Sequence, residues 1–553
     1  MYNRLDMSSK SASLRRHDFL APLALFVLFL AVSLPGISWG APALWNPDEL
    51  VWRVNDALHG ETIFDVTEPD FNYPSLPKHI MYLVGLITYG TGQSDYAFIV
   101  SARLISQFLG ALVAVLVYII ARKIGASKWT ATLAGVIYIF SGVVSANARF
   151  AHNDLYLQFF TVLCLYFSLS YHYSGSRTWL WLSFLSVGMA TSSKYTGASM
   201  VLLPVGILLT MHWKTLRRDW LRLLTTLGLG AVLVILGYGT GTPRLLIAPL
   251  DYLSNAIPAA IRFSQYGYFS GTPIGLYGQW GVLADGVGWF IYSLFLIGFV
   301  WFTIRVLMHA SGKNRMDVGM ASGIFILLMN VILFDLPFLI SINYVPRHFI
   351  PFVPLLSILG AWCIDEIIQF AKTRQWKFVV PAVVTVLAVG LVYSALRLVS
   401  ISLLFLNDAR IPASQYLDGI KGFGKSIEYT LYPPVIDKRR FERAHNYPIY
   451  FVKYLDDQVP TGGRFEYNLG EQGLLARDTD FFVIDSYTYD RFYVDSVCAT
   501  NPIECEFFKK LLAGDVDSYH LVIEFRYRLP WYLPDVSIAT VNPDILIYER
   551  VRE

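Results

Sequence analysis

The chain has 553 residues, 55% of them hydrophobic and only 15% charged, with mean hydropathy +0.46. Soluble globular chains carry about 25% charged residues, so the composition argues against a soluble multi-domain enzyme, a disordered chain or a nucleic-acid-coating protein. A net charge of +3 asks for no polyanionic partner, and 34 Tyr and 14 Trp suit rings anchored at a membrane interface.

A hydrocarbon layer of about 30 Å needs roughly 20 apolar residues per helical span. Eleven runs approach that: 19–39, 97–121, 129–147, 154–172, 178–193, 195–212, 222–242, 285–307, 318–340, 348–370 and 378–404. The fifth and sixth are short and share the polar corner Ser192-Ser193-Lys194-Tyr195. Arg4, Lys10, Arg15 and Arg16 precede the first run and place the N-terminus in the cytoplasm. Every second connection is then basic: Arg122, Lys123 and Lys128; Arg177; Lys214, Arg217 and Arg218; Lys313 and Arg315; Lys372, Arg374 and Lys377. The first run is longer than the core of a cleavable signal, so it reads as an uncleaved span. The expectation is a polytopic α-helical membrane protein of about eleven spans over 1–404, with residues 405–553 outside.

The first outer loop, 40–96, is far longer than a connection requires. It opens with Trp45-Asn46-Pro47-Asp48-Glu49-Leu50-Val51-Trp52. Proline followed by two acids reads as a helix start, and Leu50, Val51, Val54 and Leu58 give that helix an apolar face for the membrane surface. Asp48 and Glu49 then serve either that helix start or chemistry. Further on, Asn72-Tyr73-Pro74-Ser75-Leu76-Pro77-Lys78-His79 forms an extended turn bringing Lys78 and His79 beside the bilayer, and a second surface helix runs to Gly90.

Other outer-facing ionisable residues sit next to span ends: Arg149, His152 and Asp154, then Lys194, then Arg244 and Arg262, then Arg347-His348. Such groups at membrane depth are expensive and usually functional. Several cations converging there suit a lipid-linked phosphate. A carboxylate opposite them suits proton removal from an attacking hydroxyl, with the cations stabilising the departing phosphate.

After 404 charged residues return, and an extracytoplasmic α/β domain is expected. Residues 425–429, 481–485, 521–525 and 545–548 read as strands, 408–417 and 502–512 as helices. Cys498 and Cys505 are either a local disulfide in an oxidising compartment or two free thiols; Cys164 and Cys363 are apolar fillers within spans. Asp478-Thr479-Asp480 and Asp515-Val516-Asp517 read as solvated loop acids rather than metal ligands. His59, His79 and His152 make no standard zinc set. No metal or cofactor is expected. The absence of any N-x-Ser/Thr sequon leans toward a bacterial source.

In sum of its motifs the chain resembles the GT-C glycosyltransferase superfamily, in the protein O-mannosyltransferase and aminoarabinose-transferase-like branch. The resemblance rests on Asn46-Pro47-Asp48-Glu49, Tyr73-Pro74-Ser75-Leu76-Pro77-Lys78, Ala148-Arg149-Phe150-Ala151-His152-Asn153-Asp154, Ser193-Lys194-Tyr195-Thr196-Gly197, Arg347-His348-Phe349-Ile350-Pro351 and Asn407-Asp408-Ala409-Arg410, in that order. Pro74-Ser75 stands where the family commonly has Pro-Pro, His348 where it has Tyr, and the Trp-Trp-Asp of the oligosaccharyltransferase branch is missing from the tail.

The resemblance implies an inverting glycosyltransferase of a bacterial inner membrane. Its donor would be a polyprenyl-phosphate monosaccharide and its acceptor a lipid, polysaccharide or protein hydroxyl. It implies Asp48 as general base with Glu49 in support. Lys78, Lys194 and Arg347 become the phosphate site, with Arg149 and His348 as further members, and Asp154 orients a cation or binds sugar. The competing reading is a secondary transporter or flippase using the same charges as a substrate path.

Overall fold

The computed structural model describes residues 19–63, 65, 70–215, 218–265, 275–313, 316–336, 345–420, 422–447 and 470–552. Arg4, Lys10, Arg15, Arg16, Arg217 and Arg315, used above for orientation, lie outside them.

The chain is a multi-pass helical bundle followed by a small α/β tail. Its helices are α1 (Leu20–Ser33), α2 (Val51–Leu58), α3 (Leu76–Gly90), α4 (Asp95–Lys123), α5 (Lys128–Phe140), α6 (Gly142–Asn147), α7 (Asp154–Ser174), α8 (Arg177–Ser193), α9 (Leu202–His212) and α10 (Trp220–Gly241). They continue with α11 (Arg244–Ile247), α12 (Pro249–Gln265), α13 (Gly275–Val287), α14 (Trp289–Ala310), α15 (Val318–Asp335), α16 (Val353–Thr373), α17 (Val379–Leu406) and α18 (Arg410–Gly419). Among the described residues, seven helical segments are long and apolar enough to cross a membrane: Asp95–Lys123, Tyr195–Thr215, Trp220–Gly241, Trp289–Ala310, Val318–Asp335, Pro346–Thr373 and Val379–Gly419.

The other four expected spans are helical but fall short of that standard. α1 has 14 residues and α8 has 17. The 129–147 run is broken at Ser141, whose extended backbone separates α5 from α6. α7 is long enough, but Asp154, Gln158 and His172 dilute its hydropathy. An apolar run does not reveal such a break, because the residues on both sides of it are buried and equally apolar.

The first outer loop differs from expectation in a way that matters. Pro47, Asp48 and Glu49 do not begin a helix; α2 starts at Val51 and has no acid in its first turn. Its apolar face does not lie on lipid. Leu50, Val51 and Val54 are buried in one cluster with Met81 of α3, Phe98, Ile99 and Ala102 of α4, and Tyr156 of α7. The two acids are therefore held in a bend between packed helices, free of any helix-capping duty.

Among the described residues, the tail carries a five-stranded sheet in the order β2-β1-β3-β5-β4. Its strands are β1 (Ser426–Tyr429), β2 (Arg443–Asn446), β3 (Phe481–Asp485), β4 (Tyr519–Phe525) and β5 (Ile545–Arg550). β1 pairs in parallel with β2 and β3, whereas β5 is antiparallel to both β3 and β4. The four expected strands are present. β2, with the sequence Arg-Ala-His-Asn, was not expected: it is a polar edge strand without alternation. Cys498 and Cys505 form a disulfide.

The tail is tied to the first outer loop by one buried hub. Asp408 accepts hydrogen bonds from Trp39 Nε1 (2.9 Å), from Arg410 Nε and Nη2 (2.9 and 2.8 Å) and from the Asn542 backbone N–H (2.6 Å). The Arg410 guanidinium lies against the faces of Trp39 and Trp45, 5.0 and 4.4 Å from their ring centres. Cation–π contacts of this kind strengthen where water is excluded. The hub fixes the tail over the residues that lead into Asp48.

Candidate active site

Asp48 and Glu49 are neighbours with opposite surroundings. Glu49 is fully buried, and both its oxygens are occupied. Arg103 of α4 binds them in bidentate fashion (Nε to Oε1 2.8 Å, Nη2 to Oε2 2.7 Å), and the Ala151 N–H donates to Oε1 at 2.8 Å. Arg103 also donates to the carbonyls of Ile37 and Trp39. Glu49 thus staples the first outer loop to α4 and to the segment before α7. Asp48 reaches the other way, accepting one hydrogen bond from Arg347 Nη2 at 2.7 Å, and it retains access to solvent. Its own N–H donates to Asn46 Oδ1 at 3.1 Å.

Arg347 sits in a short 3-10 helix, Pro346–Phe352, opening the segment that becomes α16. Proline at the start and Pro351 within it hold this turn tight before the α-helix begins. Asp154, the first residue of α7, forms a second centre: Lys194 Nζ donates to its Oδ1 at 2.7 Å, and His152 Nδ1 lies 2.8 Å from its Oδ2. Lys194 is the extended residue that ends α8 before the 3-10 turn Tyr195–Val201. The two centres are within electrostatic reach of each other, since Asp48 feels both His152 and Asp154. Burial pushes the Asp48 carboxyl up, but Arg347 and then His152 outweigh it and hold the group below its ordinary value of 3.8. Asp48 is therefore ionised at neutral pH.

The structure brings Asp48, Asp154, Lys194 and Arg347 into one constellation from four separate segments, and adds His152. Lys78 is buried in the first turn of α3 and pairs with Asp70 at 2.9 Å. This node is stitched to the bundle by Ser75 N–H donating to Thr242 Oγ1 (3.1 Å) and by Tyr195 Oη donating to the Phe71 carbonyl (2.9 Å). The Lys78 node thus adjoins the corner that carries Lys194. His348 is half-buried beside Arg347, its N–H donating to the Val345 carbonyl.

Arg149 departs from its expected place. Its guanidinium is fully buried and donates to the carbonyls of Pro35, Ser145 and Val32 and to the hydroxyls of Ser145 and Ser402, between 2.7 and 3.0 Å. Arg has five N–H donors, so none remains for a phosphate, and this residue locks α1, α6 and α17 together.

Two participants were missed by sequence reasoning. Arg103 lies inside the 97–121 run, where an ionisable residue signals a partner at membrane depth; the same argument applied to spans as well as loops would have found it. Asp70 offered no signal beyond being an acid near Lys78. On the tail side, a cavity of about 250 Å³ is lined by Trp45, Pro47, Arg410, Tyr429, Tyr432 and Pro434, among others. Tyr432 is within electrostatic reach of Asp48. Its N–H donates to Asp485 Oδ2 (3.0 Å), which holds this loop on the sheet.

Residues 79–238 match the model of the family described as dolichyl-phosphate-mannose-protein mannosyltransferase. The GT-C resemblance is borne out over that segment. A protein of Aquifex aeolicus (strain VF5) is 29% identical over 188 residues, covering 33% of this chain and 36% of that one. The dolichyl-phosphate-mannose–protein mannosyltransferase 1 of Saccharomyces cerevisiae is 26% identical over 213 residues, 35% of this chain and 25% of that one. The matched segments span about a third and a quarter of these relatives' lengths. Among solved structures, ArnT from Cupriavidus metallidurans bound to undecaprenyl phosphate aligns over 94% of this chain and 97% of its own, with TM-score 0.48 and 15% identity. The archaeal oligosaccharyltransferase AglB from Archaeoglobus fulgidus, in complex with an inhibitory peptide and a dolichol-phosphate, aligns over 97% and 89%, with TM-score 0.49 and 11% identity.

Proposed function

We propose that the chain is an inverting glycosyltransferase that moves a monosaccharide from a polyprenyl-phosphate donor to an acceptor hydroxyl. The reaction would take place at the outer face of a bacterial inner membrane, with the tail domain outside. The observation that carries this reading is the convergence of Asp48 with Arg347, Lys194 and His152 where helices end. An ionised carboxylate there faces cations that a lipid phosphate would engage. The match of residues 79–238 to the mannosyltransferase model supports the donor class.

The step balances simply. The acceptor oxygen forms a bond to the anomeric carbon from the face opposite the phosphate, and its proton passes to Asp48. The carbon–oxygen bond to phosphate breaks, its electron pair leaves with the phosphate, and Arg347 and Lys194 stabilise the growing charge. Asp154 orients Lys194. Lys78, paired with Asp70 nearby, is assigned to the same phosphate. The cavity between Trp45 and Tyr432 is assigned to the acceptor, since Pro47, the neighbour of Asp48, lines it and Tyr432 is within electrostatic reach of Asp48.

The test is purified full-length protein with a synthetic polyprenyl-phosphate sugar and a panel of lipid, glycan and peptide acceptors, read by NMR of the product. The expected result is free polyprenyl phosphate with a new glycosidic bond of inverted configuration. A bond of retained configuration would overturn the single-displacement step. Movement of the lipid-linked sugar across vesicles without any bond formed would favour transport instead.

A further inference from the structure

The connection between β4 and β5 leaves the sheet and runs alongside the end of α17. Tyr527, Leu529, Val536 and Ile538 pack in one cluster with Leu398, Ile401, Leu404 and Phe405 of that helix. The turn between them is pinned to the helix, because Ser400 Oγ donates to the Pro534 carbonyl at 2.7 Å. Its arms are fixed as well. Arg528 makes a bidentate pair with Asp544, both bonds 2.6 Å, and Tyr487 Oη donates to the carbonyls of Ile538 and Val541 at 2.8 and 2.7 Å. Yet the tip is bare: Trp531 is 94% and Tyr532 64% exposed, their rings in edge contact. A well-anchored turn that presents two large rings to the outside is built to meet a surface.

The depth of the turn identifies that surface. About 20 residues of α17 cross the hydrocarbon, so counting from Val379 the far edge falls near Val399, one residue before Ser400. The large apolar side chains exposed along α17 are Val384, Val386, Val389, Val392, Leu396 and Val399, a lipid-facing strip, and then Leu406 at the helix end; residues 400–405 between them, where the turn is attached, are buried or half-buried. From Ser400 to the end of α17 at Leu406 is about 9 Å of rise, which is head-group territory. Tyr and Trp concentrate at this level because their rings are amphipathic.

We propose that residues 529–534 form an interfacial anchor whose partner is the glycerol and head-group layer of the bilayer around α17. The anchor seats the tail domain at a fixed height. From the anchor the chain returns through Asn542 to the Asp408 hub, so this height is passed on to Trp39 and Trp45 beside Asp48. The proposal does not depend on the reaction assigned above.

The test is depth-dependent quenching with full-length protein in phosphatidylcholine–phosphatidylglycerol liposomes. A Trp531→Cys variant is labelled with a small environment-sensitive fluorophore. Label goes to the new thiol alone, since Cys164 and Cys363 are buried and Cys498 is bridged to Cys505. Phe423→Cys, at a 97% exposed position near β1, is the control. Lipids carrying a quencher near the glycerol backbone are expected to quench the label at 531 at least twofold more than lipids quenched at the chain ends, and more than twofold above the control. Quenching at 531 only by aqueous iodide, as at 423, would overturn the anchor. So would quenching strongest from the chain ends, or protection from lipid and aqueous quenchers alike, as beneath a protein partner.

Discussion

Two adjacent carboxylates teach the main lesson of this molecule. Glu49 and Arg103 are both fully buried, 0% exposed on either side, and every oxygen of the acid is occupied. Asp48 and Arg347 are 31% and 20% exposed, joined by a single hydrogen bond, and Arg347 Nε has no hydrogen-bond partner among the described residues. A saturated pair can only hold structure, because any ligand must first break it. An unsaturated pair with access has bonding capacity left for a substrate. The same contrast separates Arg149, with five acceptors, from Lys194 and His152, which share one carboxylate.

Four substitutions sharpen or break this contrast. The largest effect on stability is expected for Glu49→Gln. It leaves Arg103 without its counter-charge and costs about 3–5 kcal/mol, read as a fall in thermal midpoint by scanning fluorimetry in detergent. If that variant unfolds as the wild type does, Glu49 is no staple. Lys194→Gln is expected to lower kcat/KM for transfer about 100-fold by removing one stabiliser of the leaving phosphate; an unchanged value removes Lys194 from the site. Arg149→Lys gives up several buried hydrogen bonds and should lose about 1–3 kcal/mol of stability with turnover per folded molecule unchanged. A loss of turnover at full stability would return Arg149 to the phosphate.

The smallest effect is a pH shift. Because the folded-state value of Asp48 is depressed, its contribution to stability is present above the unfolded value. That contribution is lost only as pH falls through the depressed one, below 3.8. The base stays ionised over the same range, so no acid limb from Asp48 is expected in the neutral to mildly acidic region. Arg347→Gln removes the strongest opposing charge and leaves burial to act, so the acid limb moves upward. A pH–rate profile of residual activity checks this, and an unmoved limb would separate Asp48 from Arg347.

Much of this was legible in the sequence. Apolar runs located the helices, and the outer-face ionisable residues included Asp48, Asp154, Lys194 and Arg347, which the fold unites. The roles of Glu49 and Arg149 were not legible, because saturation is a property of packing: their partners Arg103, Ser145 and Ser402 come from three different helices. Sequence spacing also made Pro47-Asp48-Glu49 a helix start, whereas the pull of Arg103 on one acid and Arg347 on the other keeps the segment a bend until Val51. The polar edge strand β2 and the break at Ser141 carried no hydrophobic signal at all.

In the proposed reaction Asp48, and not its neighbour, takes the proton. The measurement that tests it most directly is single-turnover transfer from a synthetic polyprenyl-phosphate sugar by Asp48→Asn, with thermal unfolding followed on the same sample. The rate is expected to fall by about 10²–10⁴, with an unfolding midpoint close to that of the wild type. Transfer at a rate near wild type in a folded Asp48→Asn protein would contradict it.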